Sequence, residues 1–141
     1  GLELWVEAPH SMRLVFDLDR SARLYSRLPP TVGAVLDVSH IIASGGIPRD
    51  FLTIAGDRLA HVHLRDAEPG YIHHSIGNGA VDFEDLAVAL NEVGYEGALA
   101  LELETRDIDD TARGPEALRA GQYISDLLAR EAERVPTPIR K

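Results

Sequence analysis

The amino-acid sequence predicts an α/β protein, half of a (β/α)8 barrel built from four β/α units with parallel strands. Three observations carry this expectation. Four short apolar runs alternate with stretches of helical period, and strands that are apolar throughout belong to parallel sheets covered by helices. Each of the four runs ends in a metal-competent polar side chain, and barrels build their sites at the carboxyl ends of their strands. The chain has 141 residues, whereas a complete eight-unit barrel has about 250. An open four-stranded parallel sheet would satisfy the first observation, but it gives no reason for the polar ends to converge.

The elements follow in order. Leu2 to Val6 (LELWV) reads as the first strand, stopped by Pro9, with Glu7 and His10 left at its carboxyl end. Asp17 or Asp19 starts a helix whose apolar face is Leu18, Ala22 and Tyr25, closed by Pro29 and Pro30. Val32 to Leu36 (VGAVL) is the second strand and runs into Asp37-Val38-Ser39-His40. Gly45 and Gly46 break the next loop. Pro48 then suits the first turn of a helix with Phe51, Leu52, Ala55 and Leu59 as its stripe. The third strand, Leu59 to Leu64, ends in His63-Leu64-Arg65-Asp66. A loop with His73, His74 and Gly77-Asn78-Gly79 leads from it to an N-cap at Asp82. The helix there carries Leu86, Ala89, Leu90 and Val93 and is capped by Gly94. Ala98 to Leu103 (ALALEL) is the fourth strand, with Glu102 and Glu104 near its end. A last helix begins at Pro115, with Leu118, Ile124, Leu127 and Leu128 as its buried positions. The half-barrel thus spans residues 1–134, and residues 135–141, with two prolines and no periodicity, read as a flexible tail.

Composition narrows the function. Apolar residues make up 45% of the chain, enough for a real core. Fourteen Lys and Arg against 23 Asp and Glu give a net charge of −9, which disfavours nucleic acid or an anionic membrane as partner. Cysteine is absent, which excludes disulfides and thiolate metal sites. No apolar run is long enough to span a bilayer and no signal-peptide pattern opens the chain, so a cytoplasmic location is expected. Without an initiator Met and starting almost directly in a strand, the chain looks like a piece of something longer.

The strand ends deliver Glu7, Asp37, His63 and Glu102, one from each run. Around a barrel mouth these converge although they are far apart in sequence. Three carboxylates and one imidazole form a hard donor set suited to one divalent ion, Mn²⁺ or Mg²⁺ first, with Co²⁺ and Zn²⁺ as alternatives. Arg65, two after His63, shares its direction. It is either a clamp for a substrate carboxylate or phosphate, or a partner of Asp66 at the rim.

The runs LWVEAPH, VLDVSH, HVHLRD, HHSIGNGAVDF and GYEGALALELE resemble the carboxyl-terminal half of the xylose isomerase-like TIM-barrel superfamily. That superfamily holds sugar phosphate isomerases and epimerases, inosose dehydratases and type-IV AP endonucleases. The resemblance covers about residues 1–105. It implies that Glu7, Asp37, His63 and Glu102 hold the metal, and it selects Glu102 over Glu104, which becomes a rim carboxylate. It also makes His40 a candidate for holding a substrate oxygen or a second metal, and His10 and His73 candidates for substrate contact beside Arg65, with a hydrogen-bonded strand-end imidazole as the other reading of His40. His61 reads as a packed histidine or one that supports a neighbouring site residue. In the endonucleases the loop run resembles D-x-H-H-x-x-G-x-G, but Tyr71 stands at the aspartate position here, which damages that further metal site.

The resemblance implies a metal-dependent isomerase or epimerase acting on a sugar, sugar phosphate or polyol. Glu7 and Glu102 would exchange a proton with the carbon beside a carbonyl through an enediolate, with a 1,2-hydride shift as the competing route. A dehydratase such as inosose dehydratase, an AP endonuclease-like hydrolase, and a non-catalytic sugar-binding half-barrel are the alternatives. A half-barrel leaves two sheet edges and part of an apolar lumen uncovered, so pairing with a second half is expected.

Overall fold

The computed structural model describes residues 1–11, 13–103, 106 and 108–134. Its centre is a four-stranded parallel sheet of order β1 (Leu4–Glu7), β2 (Val32–Asp37), β3 (Leu59–Leu64) and β6 (Leu99–Leu101). All three neighbouring pairs are parallel and follow chain order. Helices α1 (Leu18–Tyr25), α3 (Pro48–Ala55), α4 (Phe83–Glu92) and α5 (Arg113–Arg134) supply the crossovers and the closing layer. This is the β/α succession expected of half a barrel.

The core lies between the sheet and these helices. Leu36, Val62 and Leu64 of the sheet pack with Ile41, Phe51, Leu86 and Leu90 from the helical layer. Local signals fix the helix starts: Asp17 accepts from the Arg20 N–H, Pro48 opens α3, and Asp82 accepts from the Asp85 N–H. Among the described residues no helix is long and apolar enough to cross a membrane.

Several expectations need correction. The edge strands are shorter than the apolar runs: β1 begins at Leu4 and β6 stops at Leu101. Leu59 opens β3 and does not continue the α3 stripe, because Gly56 at φ +52 ends that helix. Ala22, Val93, Leu118 and Leu128 are exposed; Ser21 and Ala120 take inner positions on α1 and α5. Two elements were not foreseen. A six-residue helix, α2 (Val38–Ala43), follows β2 directly because Asp37 caps it, accepting from the Ser39 and His40 N–H groups. The segment after β3 folds into a hairpin of β4 (Asp66–Glu68) and β5 (Tyr71–His74), turning at Gly70 with φ +83. Glu104 and the tail 135–141 lie outside the described residues.

The edges match the half-barrel expectation. Leu4 and Trp5 on β1 and Leu101 on β6 are exposed apolar side chains on strands that have a neighbour on one side only among the described residues.

Candidate functional site

The ladder register explains how residues from four strands meet. Glu7 lies beside Val35, Asp37 beside His63, and His63 beside Ala100, two residues before Glu102. Side chains two apart share a sheet face. The four therefore lie on one face at rising levels from β1 to β6, the stagger that strand tilt gives a barrel. Glu102 extends the pairing beyond β6, its N–H donating to Leu64 O at 2.9 Å.

The four side chains come together. His63 Nδ1 lies 3.4 Å from Glu7 Oε2 and 3.3 Å from Glu102 Oε1. Thus one imidazole bridges carboxylates from the two edge strands, which shows how strongly the sheet curls. Ligand-competent atoms of Glu7, Asp37 and His63 all fall within 4.8 Å of one another. Those of Glu7, His10 and His40 form a second, overlapping group within the same limit. His63 Nδ1 is buried, and among the described residues it makes no well-formed hydrogen bond beyond these two carboxylate approaches, a costly state for a polar atom without a ligand. A divalent cation fits this donor set: oxygen-rich, with one imidazole nitrogen among the carboxylate oxygens.

Asp37 is 2% exposed and both its oxygens are engaged. Oδ1 accepts from the Ser39 N–H at 2.8 Å and the Ser39 hydroxyl at 2.6 Å. Oδ2 faces Arg65 Nη2 at 3.3 Å and His40 Nε2 at 3.7 Å. His40, also 2% exposed, accepts the Ser11 N–H on Nδ1 at 3.1 Å. That bond places the proton of the neutral ring on Nε2, toward the carboxylates of Glu7 (3.6 Å) and Asp37. Burial pushes the His40 pKa down to about 4, with the Asp37 charge opposing, so the ring is neutral near pH 7. The Glu7 carboxyl is held above the usual carboxylate range, first by burial and then by the charge of Asp37.

The remaining predicted residues also face this region. His10 packs its ring on that of His40, centroids 3.7 Å apart, and lies 3.7 Å from Glu7. Together with Glu7, His40, Arg65 and Glu102, His10 and His73 line an open cleft of about 590 Å³. His73 sits on β5 with Nε2 2.5 Å from Arg106 Nη1. His74 turns instead toward Glu68, at 3.4 Å. His61 stacks on Trp5 at 5.7 Å, the packing role expected of it. The Arg65–Asp66 pair does not form: Arg65 reaches back over the sheet to Ser39, Asp37 and Glu102.

Asp66 has a different role, which the sequence reading missed. Fully buried, it accepts four backbone N–H groups, from Ala67 (2.8 Å) and Val81 (3.1 Å) on Oδ1 and from Gly77 (2.8 Å) and Gly79 (2.9 Å) on Oδ2. A Cβ at Gly79 would lie 2.3 Å from Asp66 Oδ1, so only glycine fits there. The Gly-x-Gly spacing was the available signal. Ser39 and Arg13, which also meet the site, carried none.

A family model described as xylose isomerase-like TIM barrel matches residues 1–124. Among curated proteins, the chain is 36% identical over 76 residues to an L-ribulose 3-epimerase of Methylomonas sp. (strain DH-1), covering 53% of this chain and 25% of that protein. It is 29% identical over 112 residues to an inosose dehydratase of Clostridium botulinum (strain Eklund 17B / Type B), covering 65% of this chain and 37% of that one. Among solved structures, a D-tagatose 3-epimerase-like protein superposes with a TM-score of 0.76 at 22% identity, covering 96% of this chain and 50% of its own. The IolI protein with a bound zinc atom superposes with a TM-score of 0.72 at 21% identity, over 92% and 50%. The chain therefore spans about a quarter to two fifths of these curated relatives and half of these solved chains.

Proposed function

The chain belongs to the xylose isomerase-like TIM barrel family, and we propose that residues 1–134 form the metal-binding half of a sugar or polyol isomerase/epimerase. The observation that carries this reading is that His63 Nδ1 lies 3.4 Å from Glu7 and 3.3 Å from Glu102, with Asp37 in one cluster with Glu7 and His63. In this reading those four hold one divalent ion, with Mn²⁺ or Mg²⁺ favoured by the three carboxylates and Zn²⁺ or Co²⁺ admitted by the imidazole. A bound ion supplies Lewis-acid polarisation and stabilises negative charge developing on a substrate oxygen.

The chain's own residues do the rest. Glu7 and Glu102 reach the cleft from opposite edge strands, with His63 between them. One removes the proton beside the carbonyl and the other returns one from the opposite face, which inverts or relocates the stereocentre. His40, neutral and donating through Nε2, is placed to hold a substrate hydroxyl or carbonyl oxygen. His10, Arg65 and His73 line the same cleft and complete the substrate contacts.

The test is solvent exchange. With Mn²⁺ in D₂O, a ketohexose substrate gains deuterium at the carbon beside its carbonyl, read by NMR, and Glu7→Gln and Glu102→Gln abolish the gain. Epimerised product without deuterium would replace proton transfer with a hydride shift. The similarity to inosose dehydratases supports a second reading, a lyase. Loss of water from an inosose, seen as a dehydrated product, would favour it.

A further inference from the structure

Arg65 follows His63 by two residues and leaves the sheet on the same face, one level higher. Its side chain is 15% exposed and its guanidinium is held at several points. Nε donates to Ser39 Oγ at 3.0 Å, and that hydroxyl donates to Asp37 Oδ1. Nη2 lies 3.1 Å from Glu102 Oε2, 3.3 Å from Asp37 Oδ2 and 3.4 Å from His40 Nε2. The arginine therefore spans two of the four carboxylate and imidazole donors, from β2 and from the chain just after β6.

The oxygens it takes are the significant ones. Asp37 Oδ1 is committed to Ser39 and to the His40 N–H, so Oδ2 is the oxygen left for a cation. Arg65 lies on that oxygen and on one of the two Glu102 oxygens. A guanidinium and a divalent ion placed on the same two carboxylates repel each other, and each weakens the other's hold. Without a cation, the charges of Glu7, Asp37 and Glu102 would push the strand ends apart.

We propose that Arg65 is a positioning residue, the built-in counter-ion of the site: it holds Asp37 and Glu102 together when no metal is bound and competes with the ion for Asp37 Oδ2, so it sets the affinity for metal. This rests on the metal-centre reading above. It gives Arg65 a task in addition to the substrate contact proposed above.

The test uses the metal alone. Mn²⁺ and Zn²⁺ are titrated calorimetrically into the full chain as wild type, Arg65→Lys, Arg65→Met and Glu102→Gln, each checked by circular dichroism. Affinity is expected to rise in the order wild type, Arg65→Lys, Arg65→Met, with at least a tenfold gain for Met, because lysine keeps the charge but cannot bridge both carboxylates. Metal-free Arg65→Met is expected to melt below wild type, with the gap closing at saturating metal. Unchanged or weaker binding in Arg65→Met overturns the inference. Should that variant fail to fold without metal, Arg65→Lys binding no tighter than wild type overturns it instead. If wild type and both arginine variants bind no ion, the metal-centre reading itself falls, and this inference with it. Wild-type binding that Glu102→Gln weakens, with no gain in the arginine variants, sinks the inference alone.

Discussion

Asp66→Asn removes no atom from the cleft, yet it should be among the most damaging single changes in the chain. The carboxylate is buried and receives two amide hydrogens on each oxygen, all between 2.8 and 3.1 Å. An asparagine keeps one acceptor oxygen and turns an NH₂ toward the other pair of donors. Two hydrogen bonds to a charged group are lost, at about 1.5–3 kcal/mol each, so the expected cost is about 3–6 kcal/mol. A domain of this size has a total stability of about 5–15 kcal/mol. Urea unfolding followed by circular dichroism is the assay. With a slope near 2 kcal/mol/M, the midpoint should fall by about 1.5–3 M. A loss below about 1 kcal/mol would refute the reasoning, since the four amides would then have found other partners at little cost.

Two further changes test how the fold positions the site. The Tyr25 hydroxyl donates to Val6 O at 2.7 Å and so ties α1 to the strand that ends in Glu7. Burial pushes its pKa from 10.0 up to about 12, above the unfolded value. The stabilisation is therefore complete below pH 10 and is lost as pH rises from 10 to 12, a drop of about 3 kcal/mol at roughly 1.4 kcal/mol per pKa unit. Tyr25→Phe should cost about 1 kcal/mol at neutral pH and flatten that alkaline limb in pH-dependent urea melts; a limb that persists would assign it to another group. A Cβ at Gly33 would lie 2.6 Å from Trp5 Cδ1 and 2.8 Å from Ala60 Cβ. Gly33→Ala should cost about 1–3 kcal/mol and shift the emission of the single tryptophan, and unchanged fluorescence and melting would contradict this packing.

Much of this molecule was legible in the sequence, because its strongest signals are local or periodic. Pro48, Asp17 and Asp82 mark helix starts through their own backbone chemistry, and the apolar runs mark the four strands of the parallel sheet. The four residues could be singled out because each stands at or next to a strand end, and a parallel sheet brings strand ends to one side, although it took the family resemblance to choose Glu102 over Glu104. What escaped depends on partners distant in sequence. The hairpin of β4 and β5 was hidden because Asp66–His74 has no alternating pattern; its shape comes from Asp66 gathering amides from residues 11 to 15 positions further on. Of the two readings of Arg65, the pairing with Asp66 fails because that carboxylate is taken by backbone amides, and the contacts Arg65 does make, to Asp37 and Glu102, come only across the sheet. The short α2 was missed because six residues are too few to establish a period, and only the capping by Asp37 reveals it.

Whether these four strand ends hold a metal decides the function of the site. The most direct measurement is the metal content of the folded chain after chelation and reloading with Mn²⁺, beside His63→Ala and Glu102→Gln. One ion per wild-type chain, removed by chelator and lost in both variants while circular dichroism stays native, is the predicted result. A folded wild-type chain that retains no stoichiometric ion, or variants that bind it as well as wild type does, would contradict it.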